Sequence, residues 1–265
     1  MVTAQDLITA CSELMQSFSQ KPAVIEDSAE KVLVVGDVHG DLGTLQYVLG
    51  QLPNFDRVVF VGDYIDRGAQ DIEVLNLLPV LARNPNVVLL PGNHDAESLV
   101  IPRNFRKKIA GLGKSPAEVT ETMYVAAFKI APIAYCNSKH KMLVVHGGIP
   151  CERLSENKTD NYVFKNWGKV LFDPLVQEIL WNDFTFEQAD QHSERSGSRE
   201  VSDSAAREFM QFNGLELLVR GHQSPAFNTI YDLGAGKSIV TVGSASVYSG
   251  NRAVFALPEK KLIRF

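Results

Sequence analysis

The sequence is poor in cysteine, in basic excess and in long apolar runs, and each shortage removes a class of protein. Cys11, Cys136 and Cys151 are spread over 265 residues with no C-x-x-C pair, which leaves no basis for a disulfide framework, a zinc knuckle or a redox dithiol. Such usage fits a reducing compartment. Lysine and arginine total 26 against 31 aspartates and glutamates, a formal charge of −5. A surface that neutralises many phosphates is therefore not expected, and neither is a nucleic-acid partner. No stretch approaches the about 18 apolar residues of a membrane span. Asp6 and Glu13 stand where a secretory signal would have a basic start and an apolar run. The expectation is a soluble cytoplasmic protein with no membrane partner. Gly/Ser linkers, internal repeats and low-complexity tracts are missing too.

What the chain does contain is ordinary globular material, 45% hydrophobic and 22% charged, enough for one or two domains at about 150 residues each. Leu7, Ile8, Cys11, Leu14, Met15 and Phe18 recur at helical spacing, so residues 1–20 are expected to form an outer helix with one buried face. After Pro22 the pattern changes to short β-branched runs: Lys31 to Val35, Arg57 to Val61, Asn86 to Leu90, Lys141 to Val145, Leu215 to Val219 and Ser238 to Val242. Each has the length of a buried strand. Leu42, Leu45, Leu49 and Leu52, then Ile72, Leu75, Leu78 and Leu81, place helical spacing between the first three runs. The first half therefore reads βαβαβ and predicts a parallel sheet. Two polar segments, Glu152 to Asn161 and Phe186 to Glu200, interrupt the pattern, as functional loops inside a domain often do.

The chemistry lies where the runs end. Val35 is followed by G-D-V-H-G-D, Val61 by G-D-Y-I-D-R-G, Leu90 by P-G-N-H-D, Val145 by H-G-G and Val219 by R-G-H. One Gly-Asp after a strand is an ordinary turn; five such endings are a pattern. Ligands gather at the carboxyl ends of parallel strands, so the endings are expected to converge. Asp37, Asp63 and Asp66 would then crowd together, and buried carboxylates repel unless protonated or neutralised by cations. Oxygen and imidazole donors without thiolate suit manganese, iron or zinc.

G-D-V-H-G at 36 to 40, G-D-Y-I-D-R-G at 62 to 68, G-N-H-D at 92 to 95, H-G-G at 146 to 148 and G-H at 221 to 222 closely resemble the phosphoprotein phosphatase branch of the calcineurin-like metallophosphoesterases, in order and in spacing. The resemblance spans residues 31–250 and implies a single domain over 1–265, an α/β fold in which two mixed sheets pack as a sandwich flanked by helices. It implies that Asp37 and His39 bind one metal, that Asp63 bridges, and that Asn93, His146 and His222 bind a second. By the same resemblance His94 and Asp66 form a proton-donating pair and Arg67 grips phosphate. A second phosphate arginine should follow L-W-N-D at 180 to 183; register selects Arg195, with Arg199 the alternative. S-A-S-V-Y at 244 to 248 resembles the family's S-A-P-N-Y and puts Tyr248 beside the substrate. The implied activity is a serine/threonine protein phosphatase, in which hydroxide activated by two divalent ions, Mn2+ before iron or zinc, attacks a phosphomonoester. A hydrolase of dinucleoside polyphosphates or another small phosphate ester is the alternative. A non-catalytic metal-bound scaffold for phosphorylated partners would not need the His94 and Asp66 pair.

The chain departs from that pattern in places. Asp95 replaces the family's usual glutamate, which questions the contact its carboxylate makes, while Ser246 and Val247 replace proline and asparagine, and L-W-N-D-F replaces L-W-S-D-P. G-A-G-K-S at 234 to 238 has Tyr231 where a P-loop needs its first glycine, and reads as a hairpin turn. His140 and His192 lack ligand spacing. Arg103, Arg106, Lys107 and Lys108 read as an exposed helix face, Trp167 and Trp181 as packing residues, and Arg220 as either an ion-pair partner or a substrate contact.

Overall fold

A computed structural model describes residues 2–96, 103–150, 174–185, 199–248 and 250–265. Its helices are α1 (Ala4–Ser19), α2 (Leu42–Gln51), α3 (Asp71–Arg83), the single turn α4 (Asn93–Ala96), α5 (Phe105–Ile109), α6 (Lys114–Phe128), α7 (Pro174–Trp181) and α8 (Asp203–Phe212). Its strands are β1 (Val24–Asp27), β2 (Val32–Val35), β3 (Arg57–Phe60), β4 (Val87–Leu89), β5 (Ala134–Asn137), β6 (Met142–Val144), β7 (Asp183–Phe184), β8 (Glu200–Val201), β9 (Leu217–Arg220), β10 (Thr229–Gly234), β11 (Lys237–Thr241), β12 (Ala253–Leu257) and β13 (Lys261–Arg264). Every β-branched run named above is a strand, with boundaries within two residues of the expected ones. The G-A-G-K-S segment is the turn of the antiparallel β10–β11 hairpin, with Ala235 and Gly236 both at positive φ.

One sheet runs β13-β12-β2-β3-β4 and the other β1-β5-β6-β9-β11-β10. The pairs β2–β3 and β3–β4 are parallel, as the βαβαβ reading predicts, and β12 adds antiparallel to β2. Alternation along each strand decides which core a residue joins. Val32, Val34, Val59 and Val88 meet Met142, Val144, Val219 and Val240 in the layer between the sheets. Their neighbours Leu33, Val35, Val58 and Phe60 face the helices α1, α2, α3 and α6. On the far side Leu143, Leu218 and Ile239 pack under α7 and α8. Both faces of the central strands are buried, which is why they read as continuous apolar runs.

The helices begin where short polar side chains cap them. Thr3 and Asp6 form a capping box on α1, Asp41 accepts the Thr44 amide at the start of α2, and Ser202 accepts the Ala205 amide on α8. Helix α1 lies against α3 and α6, the outer position expected of it. Among the described residues no helix is long and apolar enough to cross a membrane. Cys11 and Cys136 are buried and unbridged, and burial pushes the Cys11 thiol up to about 12. Cys151, Trp167, His192 and the segment from Glu152 to Asn161 lie outside the described residues.

Candidate active site

The five strand ends converge. Asp37 and His39 follow β2, Asp63, Asp66 and Arg67 follow β3, and Asn93 and His94 follow β4, all on one sheet. The second sheet contributes His146 after β6 and His222 after β9. His39, Asp63, Asp66, Arg67 and His222 all take positive φ, between 42° and 71°. Such backbone costs about 1 to 3 kcal/mol per residue and persists where surrounding structure enforces it. Glycine makes the close approach feasible: a Cβ on Gly92 would sit 2.1 Å from Asp63 Oδ1, and one on Gly221 would sit 2.1 Å from Asp37 Oδ1.

Those two oxygens accept main-chain amides, Asp37 Oδ1 from His222 at 3.0 Å and Asp63 Oδ1 from His94 at 2.9 Å. The Oδ2 atoms turn inward. His39 Nδ1 lies 2.8 Å from the Ile65 carbonyl, so it carries the proton and leaves Nε2 a lone pair, 3.4 Å from Asp63 Oδ2 and 3.8 Å from Asp37 Oδ2. His146 repeats the arrangement: Nδ1 is 3.1 Å from the Val61 carbonyl, and Nε2 is 3.0 Å from Asn93 Oδ1 and 3.5 Å from Asp63 Oδ1. His222 Nδ1 lies 3.1 Å from the same Asn93 oxygen. An imidazole oriented through one nitrogen, with the other aimed at a shared space, is how metal-binding histidines are held.

Two donor groups result, Asp37 with His39 and Asn93 with His146 and His222, and Asp63 stands between them. Asp37 Oδ2 and His39 Nε2 are buried with no hydrogen-bond partner. Burial, then the neighbouring Asp63, pushes the Asp37 carboxyl well above the usual range, and burial with Asp95 does the same to Asp63. Burial and the adjacent His94 hold His39 well below its usual value. Orphaned donors and uncompensated carboxylates fit divalent cations. Among the described residues, one ligand atom each from His39, Asp63 and His94 lie within 4.8 Å of one another. Both ring nitrogens of His94 meet side chains: its Nδ1 is 2.8 Å from Asp66 Oδ2 and its Nε2 is 3.3 Å from Arg67 Nη2.

Arg67 reaches from the D-R-G turn over the Tyr248 ring, its guanidinium carbon 5.5 Å from the centroid. Tyr248 packs edge-on against His39 and Phe227. The loop that carries Tyr248 is tied to the turn between β2 and α2 by an amide that proline could not supply. Ser246 N–H donates to Asp41 Oδ2 at 2.8 Å, while Asp41 Oδ1 caps α2. Partial burial opposes ionisation of Asp41, but Ser246 and the Thr44 amide hold its carboxyl below the usual range. Ser246→Pro, which restores the family residue, should therefore lower stability by about 1 kcal/mol through the lost hydrogen bond. An unchanged urea midpoint would mean that this amide contributes nothing.

Several expectations are refined or corrected. The Asp95 carboxylate is short but fully engaged: it accepts the amides of Asp63, Gly92 and Tyr64 at 2.6, 2.8 and 3.0 Å and the Tyr124 hydroxyl at 2.7 Å. The loss of a methylene has not removed the contact; α6 brings a tyrosine to complete it. The basic segment is not simply an exposed face. Arg106 and Lys107 are exposed, but Arg103 pairs with Asp66 and Glu121, and Lys108 pairs with Asp71 and donates to the Gly68 carbonyl. Arg220 is wholly buried, 2.6 Å from Gln223 Oε1 and 3.5 Å from Asp183 Oδ1, and so is an ion-pair partner. Asp183 also lies 3.8 Å from His222 Nε2, and the Trp181 ring meets that of His222 edge-on. His140 contacts the Glu30 carbonyl, away from the site. Arg195 lies outside the described residues; Arg199 is exposed, its backbone tied to Asn182 and Asp183.

This chain belongs to the calcineurin-like phosphoesterase family, whose model matches residues 30–225. Among its relatives, a probable serine/threonine-protein phosphatase of Encephalitozoon cuniculi is 28% identical, over 85% of this chain and 49% of its own. Serine/threonine-protein phosphatase PP1-1 of Saccharomyces cerevisiae is also 28% identical, over 93% of this chain and 79% of its own. The chain thus spans about half the length of the first relative and most of the second. A solved Saccharomyces cerevisiae protein serine/threonine phosphatase with similarity to human PP5 has the same fold, with a TM-score of 0.77 over 100% of this chain and 90% of that one at 20% identity.

Proposed function

We propose that the chain is a serine/threonine protein phosphatase that hydrolyses phosphomonoesters in the cytoplasm with two divalent ions, manganese by preference. The observation that carries this reading is that Arg67 lies 3.3 Å from His94 Nε2 and over the Tyr248 ring, which packs against His39, whose Nε2 is buried beside Asp37 and Asp63 without a hydrogen-bond partner. In this reading Asp37, His39 and Asp63 hold one ion, and Asp63, Asn93, His146 and His222 the other. The ions supply Lewis acidity toward water and phosphate. Arg67 binds phosphate oxygens through its planar fork. A guanidinium only donates, so beside Arg67 the His94 Nε2 acts as acceptor. A phosphate that draws Arg67 away frees this nitrogen to carry a proton. Asp66 fixes the tautomer from the other side: burial opposes its charge, but His94, the Phe105 amide and Arg103 hold its carboxyl below the usual range. His94 then protonates the departing serine or threonine oxygen. Arg195 serves as a second phosphate contact.

The relatives favour phosphoprotein over small esters as substrate. Manganese-loaded protein should release phosphate from a phosphoserine peptide with kcat/KM at least about tenfold above that for a dinucleoside tetraphosphate, a difference of about 1.4 kcal/mol in transition-state binding. The opposite order would favour the small-molecule reading, and tight peptide binding without turnover the scaffold.

A further inference from the structure

Arg103 belongs to none of the motifs that carry the chemistry, yet its side chain is only 10% exposed and its guanidinium lies behind the proton-donating pair. Nη1 is 3.3 Å from Asp66 Oδ2 and also donates to the main-chain carbonyl of His94. Nε donates to Glu121 Oε1 at 3.1 Å, and Glu121, itself buried on α6, receives Arg106 on its other oxygen at 3.5 Å. The Asp66 carboxylate is thereby held at both ends: Oδ1 accepts the Phe105 amide at 2.8 Å, and Oδ2 is shared between His94 Nδ1 and Arg103. One guanidinium grips the side chain of one member of the pair and the backbone of the other. Without it, Asp66 keeps the Phe105 amide and His94, but the link from its carboxylate to the His94 carbonyl is lost, and Glu121 and Asp66 both lose a buried cationic partner.

We propose that Arg103, anchored by Glu121, is a positioning residue that sets Asp66 and the His94 backbone in fixed relation and so aims the imidazole at the leaving group. The inference rests on the reading of His94 as proton donor. Its signature is selective: loss of aim should matter where the leaving oxygen needs a proton and hardly at all where it does not.

Arg103→Ala and Arg103→Lys are to be assayed with metal loaded, on a phosphoserine peptide and on p-nitrophenyl phosphate, beside His94→Asn and the two double variants. Metal content and melting temperature are recorded for each. Arg103→Ala should lose about 10-fold or more in kcat on the peptide, within the range of general acid catalysis, and less than about threefold on the aryl ester, with KM and metal content retained. Arg103→Lys keeps the charge but cannot span Asp66, His94 and Glu121 together, and should show a smaller loss of the same selectivity. On the His94→Asn background Arg103→Ala should add almost nothing, since the two act as one unit. Guanidinium ion should restore part of the peptide activity to Arg103→Ala and none to its His94→Asn double variant. Equal losses on both substrates in Arg103→Lys, or a loss accounted for by metal content or melting temperature, would overturn the proposal. If His94→Asn shows the selectivity and neither Arg103 variant does, the acid assignment stands and the positioning role fails; if His94→Asn lacks it, the acid assignment fails first.

Discussion

Asp63→Asn should leave the chain folded, reduce bound metal below two ions per chain and lower phosphatase activity by about 100-fold or more, at or beyond the about 10- to 100-fold that loss of an outer partner of a metal ligand costs. The reason lies in what each oxygen does. Asparagine can still accept the His94 amide through its remaining oxygen, as Asp63 Oδ1 does. Its amide nitrogen would replace Oδ2, which lies 3.4 Å from His39 Nε2, and would donate to the lone pair that a cation needs. On the proposed reading the substitution would therefore remove a negative ligand and occupy a neutral one. It also relieves the burial of charge and the repulsion from Asp95 that push the Asp63 carboxyl upward, so metal-free Asp63→Asn should melt no lower than metal-free wild type. Metal analysis with parallel melting curves checks both statements. An Asp63→Asn protein that keeps two ions and full activity, or an active wild type that never holds more than one, would refute the bridging role.

His94→Asn should retain its metals and lose phosphoserine-peptide hydrolysis by about 10²- to 10⁴-fold, the usual contribution of general acid catalysis. The same variant should lose far less on an activated aryl phosphate. Serine alkoxide is a poor leaving group and needs a proton as the ester bond breaks, whereas a nitrophenolate departs as the anion. The geometry supports the distinction because His94 is buried against Asp66 at 2.8 Å and its second nitrogen faces Arg67 rather than another acceptor. Asparagine at 94 can hydrogen-bond Asp66 but cannot move a proton at neutral pH. Comparison of kcat on the two substrates, with metal content measured, decides the matter: equal losses would mean that His94 positions substrate or supports the metal site.

Six strands, β2, β3, β4, β6, β9 and β11, and the residues at the ends of five of them were legible because both obey local rules, whereas β1, β5, β10, β12 and β13 were not read from the sequence. Strands buried on both faces must be continuous runs of Val, Leu and Ile, and glycine-flanked Asp, His and Asn after them are visible in one dimension. The supporting layer was not legible. Arg103 and Lys108 look like solvated charges because nothing local shows that Asp66, Asp71 and Glu121 will face them. Asp71 resembles an ordinary acid in the first turn of a helix, yet it is wholly buried, accepting from Lys108 and the Asp66 amide. Tyr124 reads as one aromatic of an amphipathic helix, and its hydroxyl meets Asp95 only once α6 is packed. The Ser246 contact with Asp41 joins positions 205 apart. Such pairings are set by tertiary packing, where propensity and periodicity carry no information.

The order in which the strands are joined bears on how the protein comes to exist. β2 sits between β3 and β12, so the sheet that holds Asp37, His39, Asp63 and Asn93 stays open on one side until residues 253–257 have been synthesised. The amide that fixes Asp37 comes from a residue 185 positions later, and the hydroxyl that accepts the Gly36 amide from one 208 positions later. Contacts of such separation form late, because loop closure must precede any gain from them. During translation the early motifs emerge as loose acidic and imidazole side chains rather than as a cage. A ribosome-bound chain truncated before β12 should therefore have little capacity to capture divalent ions, and acquisition of metal would follow the emergence of β12.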